Sequence, residues 1–139
     1  MATALPEIFE KVYIVTEADT VKIYDHVHHA QSFYMLERAR LDYLESIGFP
    51  DKYFFERDLL LVIYSISATY KREIKKGQVK ITCQDVKLSE DRRSLYMTQI
   101  FYNQRGKEAI VASVHSMCMH AKRRRAVRFP EEFSALFIG

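Results

Sequence analysis

Tryptophan is absent from this chain, and cysteine, proline and glycine are scarce, at two, three and four residues in 139. Two cysteines cannot build a disulfide framework, and Cys83 and Cys118 stand in different apolar segments without metal-site spacing. Both read as reduced, buried small hydrophobes. No low-complexity linker and no internal repeat interrupts the sequence. No stretch approaches the ~20 consecutive apolar residues of a membrane helix, so no membrane span is expected. The first residues, MATALPEIFEK, lack a basic start followed by an apolar run, and a cytoplasmic location is the expectation. Also missing around the basic residues are the stacking aromatics and motif glycines of common RNA-binding modules, which argues against a nucleic-acid partner.

What is present fits one globular domain, residues 1–139, large enough to bury a single core. The formal net charge of +3 is unevenly spread. Lys122, Arg123, Arg124, Arg125 and Arg128 crowd near the C-terminus, and Lys71, Arg72, Lys75 and Lys76 form a second cluster. A phosphate-bearing small molecule or an acidic carrier protein would suit such patches, and solvated charge flanking strand ends is the plain alternative.

Hydrophobic spacing gives the order of elements. Residues 8–18 alternate near period two and predict a strand. From Ala30 the period changes: Phe33, Leu36, Ala39, Tyr43, Leu44 and Ile47 recur at helical spacing, and Gly48 followed by Pro50 supplies the stop. Thereafter the chain reads as strands over 59–70, 78–89, 94–104 and 109–122, with Arg105-Gly106 as a turn, before a short segment PEEFSALF. One strand, a long helix and four strands joined by short turns predict an α+β domain, an antiparallel sheet carrying one dominant helix on a single face.

His26-Val27-His28-His29-Ala30, then Glu37-Arg38-Ala39-Arg40, then Ile47-Gly48-Phe49-Pro50 follow in order, with Ser67–Ile74 before Gly77, Gly106–Ala109, and Phe129-Pro130-Glu131-Glu132-Phe133 behind them. This succession resembles the hotdog-fold acyl-CoA thioesterases of the 4-hydroxybenzoyl-CoA thioesterase type, including their enediyne-polyketide relatives, over nearly the whole chain. The resemblance implies a single hotdog domain in which a curled antiparallel sheet wraps one long central helix. It also implies hydrolysis of an acyl-CoA or acyl carrier protein thioester, no metal or other cofactor, and homodimers that join edge to edge and assemble into homotetramers. Edge pairing makes physical sense, because an open sheet edge is an association hazard until it is covered.

Thioester hydrolysis needs a donor for the carbonyl oxygen and a carboxylate that attacks or activates water. Backbone N–H groups in a helix's first turn lack internal partners and carry the positive end of the helix dipole, so they suit an oxyanion. By resemblance that donor is the backbone N–H of His29, whose imidazole need not take part. The family's catalytic Asp position, four residues before His26, falls on Lys22 without a gap. A loop three residues longer puts Asp19 there in a Glu17-Ala18-Asp19 context; a shorter one puts Asp25 at the helix mouth, where it could equally serve as a cap. A third option uses no acid and gives Arg40 of the helix more of the catalytic load, as the enediyne-type relatives imply. Glu37 could orient water or join an ion pair.

Acyl recognition is expected from Phe33, Met35 and Tyr64. Phosphate or carrier recognition is expected from Lys71, Arg72, Arg123 and Arg124, since arginine's planar fork grips phosphate oxygens in pairs. A metal site is not expected: His26, His28 and His29 diverge, and His115 and His120, five apart in a strand, point to opposite faces. Lys22 at the usual Asp position keeps a second class open, a hotdog protein that binds acyl thioesters or a partner without cleaving them.

Overall fold

Period-two alternation builds one antiparallel sheet from β1 (Ile8–Val15), β4 (Leu59–Tyr70), β5 (Gly77–Leu88), β6 (Ser94–Tyr102) and β7 (Glu108–His120), in the spatial order β1-β5-β6-β7-β4. A computed structural model describes residue 5 and residues 7–23 and 26–137. The fold is α+β: α1 (His29–Ser46) lies on one face of the sheet. Short elements complete it, namely the strands β2 (Thr20–Val21) and β3 (His26–Val27), and the helices α2 (Asp51–Phe55) and α3 (Glu131–Ser134).

The 3.6-residue period of α1 turns Leu36, Ala39, Tyr43 and Leu44 onto the sheet, where all four are buried. They meet Tyr13 and Val15 of β1, Val79, Ile81 and Cys83 of β5, Met97 and Phe101 of β6, and Ile110, Ala112 and Val114 of β7 in one core. Gly48 stops the helix as the spacing predicts. It adopts φ +95°, its N–H donates to Glu45 O at 3.0 Å, and the Phe49 N–H donates to Leu44 O at 2.8 Å. That paired closure needs the left-handed conformation glycine adopts most easily.

Three segments depart from the sequence reading. Strand β1 ends at Val15, and Glu17–Asp19 form a 3-10 turn. The loop before α1 contains a two-stranded ribbon, Thr20 opposite Val27 and Val21 opposite His26, too short to leave a periodic signal. Residues 51–55 are helical, because the segment must turn Phe54 inward against Phe133.

Strand β4 is the sheet's outer edge beside β7, and its register slips between Ile63 and Ser65. The slip leaves Tyr64 as the extra residue of a bulge. Its ring lies 4.8 Å from that of His115, on the face turned away from α1.

Candidate active site

Helix α1 begins where His28 caps it. His28 is extended, and its Nδ1 accepts from the Ala30 N–H at 3.1 Å. The Ser32 N–H donates to His28 O at 3.0 Å, while the N–H groups of His29 and Gln31 meet no acceptor among the described residues. The first turn therefore carries open donors at the positive end of an 18-residue helix.

The three histidines separate into three roles. His26 Nδ1 lies 3.0 Å from Val27 O, His28 caps, and the His29 ring stacks on that of His28 with centroids 4.2 Å apart. Among the described residues no group of three or more His, Cys, Asp or Glu could hold a metal ion.

Asp19 is brought to this turn from across the loop. Its Oδ2 accepts from the Thr16 N–H at 2.8 Å and from Thr16 Oγ1 at 3.2 Å, its Oδ1 accepts from Gln31 Nε2 at 2.8 Å, and its carbonyl accepts the His28 N–H at 3.2 Å. Asp19 closes the 3-10 turn that follows β1, four residues past the strand's last residue, and the β2–β3 ribbon lies between it and α1. Lys22, the ungapped counterpart, is exposed in the ribbon's turn. Asp25 lies outside the described residues.

A cavity of about 340 Å³ opens beside the helix start, lined by His26, Val27, His29, Ser32, Tyr70, Lys71, Arg72, Glu73, Ile74 and Ile110. Ser32 Oγ donates to His29 O at 2.6 Å and lies 3.2 Å from the Tyr70 hydroxyl. Lys71 pairs with Glu108 at 3.1 Å, and Arg72 Nη1 donates to Glu108 O at 2.6 Å. Past Arg72 and Glu73 the surface continues into a basic basin lined also by Lys75, Lys76 and Arg105. Sequence reading missed Arg105, which the turn after β6 folds back toward a cluster thirty residues earlier.

A second cavity, about 200 Å³, lies between α1 and the β4 edge, lined by Ala30, Phe33, Tyr34, Glu37, Arg40, Ile63 and Ile66. Phe33 lines this cavity, whereas Met35 and Tyr64 do not. Met35 is buried in the core, and Tyr64 lies against His115 on the opposite face of the sheet.

Arg40 is set well away from the first turn of α1. It follows His29 by eleven residues, roughly 16 Å along the helix axis. Its Nη1 donates to Gln99 Oε1 at 3.0 Å, and burial lowers its pKa below the ordinary arginine range against the opposing pull of Glu37. Glu37 is exposed and makes no hydrogen bond or ion pair with Arg40. Arg123 and Arg124 follow the end of β7, which pairs with the start of β4, at the opposite end of the sheet from Lys71 and Arg72. One protomer cannot bring both basic clusters to the same ligand.

The Thioesterase-like superfamily matches residues 16–137, and the chain belongs to it. It is a hotdog-fold thioesterase, a hydrolase of acyl thioesters. Solved structures share the fold: a DHNA-CoA thioesterase from Staphylococcus aureus superposes with a TM-score of 0.82 at 21% identity, covering 92% of this chain and 87% of that one. A 1,4-dihydroxy-2-naphthoyl-CoA thioesterase from Synechocystis gives 0.83 at 15% identity, with 94% and 95% coverage. A 12:0-ACP thioesterase from Umbellularia californica gives 0.77 at 16% identity, with 96% of this chain and 55% of that one covered. No curated protein sequence matches the chain significantly.

Proposed function

We propose that this chain cleaves acyl-CoA thioesters at the first turn of α1, the thioester carbonyl accepting from the His29 N–H and water being activated by the Asp19 carboxylate. The observation that carries the reading is the Gln31–Asp19 bond of 2.8 Å, which holds a carboxylate against the turn that carries the open donors. Preorganised N–H donors stabilise the oxyanion as charge develops, and a general base contributes about 10²–10⁴-fold. The CoA phosphates lie along Lys71, Arg72 and Arg105, and the acyl group enters between α1 and β4 past Phe33.

A second copy joins at the β4 edge, where Ile63 is 46% and Tyr64 68% exposed. Antiparallel pairing of two β4 edges would bring the partner's far sheet end, with its Arg123 and Arg124, toward the basic basin, and a tetramer would follow from pairing of dimers. Buried, free Cys83 and Cys118 suit a cytoplasmic setting.

The test is a panel of acyl-CoA and acyl carrier protein thioesters with released thiol measured, on wild type and Asp19→Asn. The expected result is turnover of the CoA esters and a loss of about 100-fold or more in kcat for the variant. Binding without cleavage of any ester would make this a non-hydrolytic acyl-thioester protein; full activity of Asp19→Asn would remove Asp19 as the base. Turnover confined to carrier protein esters would reassign the basic basin to an acidic carrier surface.

A further inference from the structure

Arg40 is 9% exposed, yet the hydrogen bond to Gln99 is its only one among the described residues. Gln99 is neutral and itself fully buried, and its amide is otherwise committed, Nε2 donating to Leu36 O at 2.9 Å and lying 3.4 Å from Cys83 Sγ. No carboxylate touches the guanidinium. Among the described residues no fully buried side-chain nitrogen lacks a partner, so the remaining Arg40 donors reach open space. That space is the cavity between α1 and β4, whose other walls include Phe33, Tyr34, Ile63 and Ile66. A buried cation without a paired charge is costly, and an apolar chamber ending on such a cation is complementary to a chain ending in an anion. Glu37 stands exposed in the same wall, where water screens its charge, and leaves the guanidinium donors unoccupied.

We propose that Arg40 binds a carboxylate at the far end of the acyl group, so that the preferred substrate is the monothioester of a medium-length dicarboxylic acid, with Gln99 as the positioning residue. The proposal rests on the acyl group entering between α1 and β4. Arg40 lies roughly 16 Å down the axis from His29, and helical side chains lean back toward the N-terminus by several Å. About 10 Å remains, or roughly eight bonds at the ~1.2 Å per bond of an extended chain. Arginine suits the role because its fork meets both carboxylate oxygens, which a lysine cannot do.

The test compares the mono-CoA ester of octanedioic acid with octanoyl-CoA and 8-hydroxyoctanoyl-CoA, by released thiol and by calorimetric binding to Asp19→Asn. Wild type should favour the carboxylated ester in kcat/KM by about tenfold or more, the order expected of a charge-assisted pair. In Arg40→Gln that ratio should fall to about one, and in Gln99→Leu it should fall through KM rather than kcat. Arg40→Lys, which keeps the charge, serves if Arg40→Gln does not fold, and should retain part of the preference. A wild-type ratio of one or less, a ratio unchanged in Arg40→Gln, or a stronger preference for the hydroxy ester would overturn the proposal. If wild type cleaves none of the esters but the carboxylated one still binds tighter, the hydrolytic reading fails and the carboxylate site stands; equal binding of all three overturns the site as well.

Discussion

Gln31 Nε2 donates to Asp19 Oδ1 at 2.8 Å, joining residues 12 apart in sequence and tying the end of the β1 loop to the first turn of α1. Removing it should free the carboxylate without deleting it. Gln31→Ala is expected to lower kcat by about tenfold while leaving KM within about twofold, a smaller loss than Asp19→Asn because a general base that is only mispositioned retains part of its effect. Steady-state kinetics checks this, and an unchanged kcat would show that Thr16 alone positions Asp19.

The helix cap can be tested separately. His28→Ala removes the acceptor of the Ala30 N–H and should cost about 1 kcal/mol, whereas His28→Asn, which supplies another acceptor, should cost less. Urea denaturation of both variants measures the difference. Equal losses would mean that the imidazole acts by stacking on His29 and not by capping.

Phe133 is fully buried among Phe49, Phe54, Phe129 and Phe137, at centroid distances of 5.1, 5.7, 4.8 and 5.0 Å. It docks the C-terminal segment over the end of α1. Phe133→Ala should destabilise the fold by about 3–5 kcal/mol, read as a drop in the urea midpoint. A loss below about 1 kcal/mol would show that the segment is an accessory to the core.

Burial pushes the Cys83 thiol up from 9.0 to about 12 and that of Cys118 to about 11. The fold favours both neutral thiols, so their contribution is intact below pH 9 and is lost as pH rises toward 11 to 12 and the unfolded chain ionises first. The urea midpoint should fall through that window, less steeply in Cys83→Ala. At pH 8 a thiol reagent should label neither cysteine until the protein is denatured, and stoichiometric labelling of the native protein would contradict their burial.

Lys71 and Arg72 are ordered at the cavity rim by Glu108, whereas Arg105 makes no side-chain hydrogen bond or ion pair among the described residues. Arg105→Ala should therefore raise KM for CoA esters severalfold at low salt with kcat unchanged, and the effect should shrink as ionic strength rises. A loss confined to kcat would remove the residue from phosphate binding.

The long elements were legible because period alone marks them. Strand β4 matches its sequence range residue for residue, and α1 starts and stops within one residue of its signals. Boundaries failed where local geometry outweighed pattern: the 3-10 turn at Glu17–Asp19 is built by Thr16 and Asp19 bonding to each other, and α2 is too short to show a period. Asp19, Asp25 and His29 could be nominated from sequence, but the tie of Asp19 to the first turn of α1 could not, because Gln31 Nε2 and the His28 N–H make it across the loop. Along β4 the bulge at Tyr64 breaks the alternation: Leu59, Leu61 and Ile63 share the core side with Ile66 and Ala68, and Tyr64 is left on the other face, which a period-two reading does not mark. Arg40 follows His29 by eleven residues, so the rise along the helix sets it roughly 16 Å from the first turn, a separation that spacing in the sequence states but does not display.

The β2–β3 ribbon carries a last consequence. Its ends are pinned, at one side by His28 N–H to Asp19 O and at the other by Val27 N–H to Ile74 O at 2.7 Å. A detour whose two ends are fixed can grow or shrink at its tip without shifting what it connects, and loop-closure entropy penalises added length only weakly. Length variation between these two pins is thus decoupled from the tie between Asp19 and the first turn of α1. A tag, a fluorophore or a recognition sequence inserted after the exposed Lys22 should therefore leave the Asp19–Gln31 tie in place.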